Sequence, residues 1–113
     1  MKKKYNVVGF LAREHGLNGL LSFVKSDIYN PICVFTHKLK TKSQDSNRSV
    51  REDYSEYESL CRNNNMPLYA IDSKKEAMKI DEILLELEEF DFIASISWRR
   101  LIPVNQLNMP KIG

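Results

Sequence analysis

Residues 90–103 read FDFIASISWRRLIP. It begins as an apolar run of strand type, with Phe90, Phe92, Ile93 and Ile96 close together. The run then breaks into Trp98, Arg99 and Arg100, an aromatic and cationic cluster that reads as exposed, and Leu101, Ile102 and Pro103 close it. A strand ending this way is expected to deliver a ligand-contacting loop at its carboxyl end, with the rest of the chain building a sheet around it.

Working backward, Ile80, Ile83, Leu84, Leu87 and Phe90 fall at i, i+3, i+4, i+7 and i+10, with Asp81, Glu82, Glu86, Glu88 and Glu89 on the other side. This predicts an amphipathic helix running to Phe90. Ser73 and Glu76 form a capping box at its start: the Ser73 hydroxyl accepts from the Glu76 N–H, and the Glu76 carboxylate reaches back to the Ser73 N–H. Leu68 to Ile71 is a brief strand. Before it, Tyr54, Tyr57, Leu60 and Cys61 share a helical face that begins at Asp53 or Ser55 and ends at Asn63 to Asn65. Residues 37–52 are rich in Lys, Ser, Asn and Arg, with scarcely an apolar anchor, and are expected to form a long, mobile basic loop. Ile32 to Phe35, after Pro31, fits a strand covered on both faces. Leu20, Leu21, Phe23 and Val24 predict a helix capped by Asn18. Tyr5 to Ala12 is a buried strand feeding a polar turn, Arg13 to Gly16. Beyond the opening stretch, Val104 to Met109 has room for a helical turn.

The order β-α-β-α-β-α-β predicts an α/β fold, a mostly parallel sheet with helices on both faces. If the strands run 3-2-1-4, the winding reverses between the first and fourth, and ligands bind at such a switch point. The turn Arg13 to Gly16 is then expected to face Trp98 to Pro103 across one crevice.

At 113 residues the chain has room for one core. Its composition, 42% hydrophobic and 28% charged, is ordinary for a globular domain, and a net charge of +2 is too small for a nucleic-acid footprint. Cys33 and Cys61 lie far apart in a sequence without CxxC, HExxH or clustered His, so no disulfide framework and no metal site is expected, and a reducing cytoplasm is the simplest setting. Lys2, Lys3 and Lys4 open onto an apolar run that passes straight into Arg13 and Glu14 without a small-residue cleavage site, unlike a signal peptide. No segment approaches membrane-spanning length.

Gly9, Gly16 and Gly19 do not make GxGxxG, and no acidic residue closes the second strand, which disfavours classical dinucleotide binding. Asn18 and Gly19 either present N–H groups to a phosphate or merely cap and pack. His15, with Arg13 and Glu14, is either a substrate contact at a strand end or a solvated turn histidine. His37 has no neighbouring carboxylate in sequence to orient it, so catalysis there is disfavoured. Arg99 and Arg100 either clamp a carboxylate or phosphate or are surface charges. Leu101, Ile102 and Pro103 can offer backbone groups to a flat heterocycle between apolar walls. Lys38, Lys40, Lys42, Arg48 and Arg51 lack interleaved aromatics, which favours a solvated loop over a nucleic-acid patch.

The segment SISWRRLIP with LNMPKIG resembles the stretch preceding the catalytic motif in folate-dependent N-formyltransferases, most of all those acting on nucleotide-linked amino sugars, with methionyl-tRNA formyltransferase as the neighbouring branch. The resemblance extends through VVGFLA, CVFTH and MPLYAID, which are generic strands. It implies a Rossmann-like amino-terminal domain over residues 1–113, N10-formyltetrahydrofolate as co-substrate, and contacts to it from Trp98, Arg100, Leu101, Ile102 and Pro103. Arg13, Glu14 and His15 are the expected substrate contacts. A cytoplasmic enzyme is implied, with room for a homo-oligomer. Family members carry an Asn-x-His pair on the next strand. Neither His15 nor His37 matches that motif, and the chain stops at Gly113 where the strand should begin, so it is expected to be a truncated, catalytically incomplete part of such an enzyme. The alternative is a non-catalytic module that binds folate or docks onto a partner.

Overall fold

Two apolar runs with no polar face form the middle of the sheet, β1 (Tyr5–Leu11) and β2 (Tyr29–Thr36), in a computed structural model that describes residues 3–87 and 89–112. Lys2, Glu88 and Gly113, which enter the sequence reading, lie outside those residues. Successive side chains leave a strand on opposite faces, so a run that is apolar throughout needs cover on both. One face carries Val8, Phe10, Cys33 and Phe35, packed with Ile71, Ile80, Leu84 and Phe90. The other carries Leu11 and Val34, packed with Leu17, Leu20, Tyr57, Cys61 and Met66. The helices α1 (Arg13–Lys25) and α2 (Tyr54–Asn63) supply the second layer, and the short α3 (Lys74–Ala77) and α4 (Ile80–Glu86) stand with the first.

With β3 (Leu68–Ala70) and β4 (Phe92–Ile96), the sheet has the order β3-β2-β1-β4, and every pairing is parallel. The α/β fold with helices on both faces expected from the sequence is the one observed, switch point included. At the amino end the β1–β4 register is pinned by a reciprocal clamp. The Asn6 N–H donates to Asp91 Oδ2 at 2.8 Å, and the Asp91 N–H donates back to the Asn6 carbonyl at 2.8 Å. β4 is half-buried and forms one edge of the sheet, with β3 at the other. α5 (Val104–Leu107) is the expected helical turn; Asn105 and the buried Gln106 tie it to α4 by donating to Asp81 Oδ1 at 3.1 and 2.7 Å.

Four local expectations need correction. Arg13 to Gly16 is the first turn of α1, so Asn18 lies inside the helix and does not cap it. The reason is Gly16: it serves close packing, because a Cβ there would sit 2.6 Å from the Tyr57 hydroxyl and 2.9 Å from the Leu11 backbone carbon. The helix read as running to Phe90 is two pieces, and it stops at Glu86 when Leu87 turns extended (φ −73°, ψ 155°). Phe90 is buried in the connection to β4 instead. In the capping box the Ser73 hydroxyl does accept from the Glu76 N–H at 3.2 Å, but the Glu76 carboxylate reaches the Asp72 N–H at 2.9 Å, one residue beyond Ser73.

Loop 37–52 is the fourth. It folds back on itself through a Leu39–Val50 antiparallel bridge, with Lys40 N–H to the Ser49 carbonyl at 2.9 Å and Arg51 N–H to the Lys38 carbonyl at 2.7 Å. Asp72 anchors it, accepting from the Leu39 N–H at 2.9 Å and the Lys38 N–H at 3.3 Å. Main-chain pairing and one carboxylate supply what apolar anchors do not.

Cys33 and Cys61 are free and buried in the two different packing layers, and burial pushes their thiols up to about 12 and about 11, which leaves them unreactive near neutral pH. No helix among the described residues is long and apolar enough to cross a membrane.

The close approach at Gly16 gives a direct test. Gly16→Ala is expected to cost about 2 kcal/mol in urea unfolding, because backbone opposes the new methyl. Gly19→Ala, whose methyl meets only the end of the Ile96 side chain, is expected to cost less than about 1 kcal/mol.

Candidate functional site

The carboxyl ends of the four parallel strands are where an open α/β sheet presents ligand-binding loops. Here β1 leads into Arg13, β2 into His37, β3 into Ile71 and Asp72, and β4 into Trp98. Two of these exits use left-handed backbone at residues other than glycine: Arg13 (φ 60°) and Ser97 (φ 58°). Such conformations cost free energy and concentrate at binding sites. They sit side by side, since the Ala12 N–H donates to the Ile96 carbonyl at 3.0 Å.

His37 lies at the centre of this edge and is 2% exposed. Its Nδ1 lies 2.5 Å from the Ile71 carbonyl oxygen, and its Nε2 accepts from the Arg99 backbone N–H at 3.2 Å. A carbonyl oxygen only accepts and an amide N–H only donates, so the tautomer is fixed: the proton is on Nδ1 and Nε2 is bare. The ring stacks on Trp98 with centroids 4.2 Å apart and planes inclined by 19°, and Trp98 also meets Phe10 at 5.2 Å. Burial holds the imidazole pKa down to about 4, outweighing the Ile71 hydrogen bond that raises it. His37 thus joins the exits of β2, β3 and β4 as a neutral strut. With both nitrogens committed, it has no free lone pair for proton transfer.

The sequence-predicted site residues fall into separate places. Arg13, Glu14 and His15 are exposed on the first turn of α1 and line an open depression of about 550 Å³ with Lys40, Arg51, Glu52, Asp53 and Glu56. Trp98, Arg100, Leu101 and Pro103 line another, of about 320 Å³, with Ala77, Ile80 and Gln106. Ile102 is half-buried and packs into the core layer beneath. Trp98, expected to be exposed, is half-buried under its two ring contacts. The two groups line separate depressions on the same edge of the sheet. Loop 37–52 lines the first depression, and also a third of about 360 Å³ with His37, Asp72, Arg99 and Arg100.

The depression beside Trp98 has the chemistry of a flat heterocycle site: apolar walls from Ala77, Ile80, Leu101 and Pro103, polar groups from Arg100 and Gln106. Leu101 is 95% exposed, so its side chain contributes little to the core, whereas Ile102 beside it packs against the core layer. Sequence reasoning missed Gln106 and the central position of His37, since the partners that fix both are distant in the chain. Among the described residues no group of His, Cys, Asp and Glu is placed to hold a metal ion. Comparison with protein-family models finds no match, and comparison with curated proteins finds none either.

The buried neutral histidine makes stability depend on pH. Its folded pKa of about 4 lies below its ordinary 6.5, so at neutral pH the two states bind the same protons and His37 adds no pH dependence. As pH falls below about 6.5 the unfolded chain takes up a proton that the folded chain refuses, and stability is lost progressively until about pH 4. Between pH 7 and 4.5 the wild type is expected to lose about 2 kcal/mol more stability than His37→Gln, read from urea unfolding. Equal losses would show that His37 is protonated in the folded chain.

Proposed function

We propose that this chain is the folate-binding part of an N-formyltransferase, serving transfer of a formyl group from N10-formyltetrahydrofolate to the amino group of a nucleotide-linked amino sugar. The observation that carries the reading is the placement of residues 98–103. They leave β4 at the switch point of a β3-β2-β1-β4 parallel sheet, and Trp98, Arg100, Leu101 and Pro103 among them line an apolar-walled depression. This is the stretch whose sequence resembles the family, and its position agrees with the pterin-contacting role the resemblance implies.

In the proposed reaction the free amine attacks the formyl carbon, a tetrahedral intermediate forms, and its collapse breaks the bond to N10. The amine loses a proton and N10 gains one. That step asks for an oxyanion stabiliser and a proton carrier. The family's Asn-x-His supplies both, and no Asn-x-His occurs within the 113 residues. His37 is a poor substitute because both its nitrogens are engaged, and His15 stands on the rim of a different depression. These residues alone are therefore expected to bind without turnover, and the reading assigns no catalytic residue among them. A second reading is a non-catalytic module that binds folate or docks onto a partner. A cytoplasmic setting belongs to both readings.

Binding of folinate, a stable reduced folate, tests the wall. Arg100→Ala is expected to weaken it about threefold, because an exposed guanidinium contributes modestly. Leu101→Pro removes a backbone N–H and restricts Arg100, and is expected to weaken it by more than about tenfold. Unchanged affinity in both variants, with circular dichroism showing intact folding, would remove this loop from the site.

A further inference from the structure

We propose that the depression bordered by His37, Asp72 and Arg99 is a diphosphate-binding site. Four cationic side chains line it, Lys42, Arg48, Arg99 and Arg100, against the single carboxylate of Asp72. That carboxylate is already occupied, since its two oxygens accept the Lys38 and Leu39 N–H groups. Two of the three arginines are held in place without an ion pair. Arg48 donates to the Lys40 and Asp72 carbonyls at 3.0 and 3.2 Å, and Arg99 donates to the Leu39 carbonyl at 2.7 Å. Carbonyl oxygens fix a guanidinium in space and leave its positive charge unbalanced, which is what a pre-organised anion site requires. Lys42 and Arg100 have no side-chain hydrogen bond or ion pair among the described residues.

The contrast with the depression at Arg13 sharpens the assignment. There Arg51 is paired with Asp53 at 3.3 Å and Lys40 with Glu52 at 3.6 Å, and Glu14 and Glu56 add further negative charge. A dianion gains little in that neighbourhood. Beside His37 it relieves cation crowding: burial first, then Arg51, Arg48 and Arg13, already hold the Arg99 pKa below its usual range. The compact bowl, with no aromatic interleaved among its cations, favours a small diphosphate over a polynucleotide. Identifying the ligand as the diphosphate bridge of a nucleotide-linked sugar rests on the formyl-transfer reading; the anion site does not.

Trp98 is the sole tryptophan and stacks on His37, so its fluorescence reports on this site. Titration with inorganic pyrophosphate and with a nucleoside diphosphate is expected to show saturable binding that weakens as salt is added. Orthophosphate is expected to bind about tenfold more weakly, and Lys42→Gln/Arg99→Gln to weaken pyrophosphate by at least about tenfold. Lys42→Gln alone, which breaks no bond within the fold, is expected to show part of that loss. The same charge removed at Lys25 and Arg62, on the last turns of α1 and α2, is expected to change nothing. Tighter binding of the nucleoside diphosphate than of pyrophosphate identifies a nucleotide; equal binding supports a site for the diphosphate group itself. No saturable binding, equal loss in the Lys25/Arg62 control, or preference for a short single-stranded RNA would overturn the proposal. Folinate measured in parallel separates the two ideas: pyrophosphate bound without folinate keeps this site and sinks the formyl-transfer reading, and folinate bound without pyrophosphate does the reverse.

Discussion

A neutral, buried imidazole holds the carboxyl edge of the sheet together. His37 donates to the end of β3, accepts from the backbone just beyond β4, and stacks on the first large side chain after that strand. Every loop that borders the two depressions beside Trp98 and Arg99 is set by one of these contacts or by Asp72 next to it. Each hydrogen bond is worth only about 1 kcal/mol net, but losing a partner inside a buried network costs more than the bond itself, because the remaining group is left unsatisfied. The arrangement therefore works as a unit.

The strut also explains the charge distribution at this edge. A protonated histidine beside Arg99 and Arg100 would add to the repulsion among them, and desolvation prevents it. Arg48 and Arg99 can then stand close together on main-chain carbonyls, beside one carboxylate, Asp72, whose oxygens already accept backbone N–H groups. On the other side of the same exits, Trp98 is fixed between His37 and Phe10, so the backbone from Arg99 to Pro103 leaves a rigid base and Leu101 projects into solvent. Left-handed backbone at Arg13 and Ser97 marks the two neighbouring strand exits where the chain is most constrained.

How much of this was legible in the sequence depends on range. The strands were legible because VVGFL and ICVF are apolar throughout, which only a covered, parallel sheet accommodates, and the order of elements then left few topologies. The start of α1 was not, because Gly16 looks like a turn residue until Tyr57 and the Leu11 backbone are seen against it. Loop 37–52 was misjudged for a similar reason: its anchor, Asp72, is 33 residues from Leu39. His37 looked unoriented because its partners lie 34 and 62 residues away. Composition and spacing carry local information, and this site is assembled almost wholly from distant contacts.

Residues 98–102, held by His37, are proposed to form a ligand wall at the carboxyl end of the sheet. Backbone-amide NMR during a folinate titration tests it most directly. The amides of Trp98, Arg100, Leu101 and Ile102 are expected to move together with Ala77 and Ile80, while Asn6 and Asn30 at the opposite end of the sheet stay still. Movement concentrated at that opposite end, or a titration to saturation that leaves residues 98–102 unmoved, would contradict it.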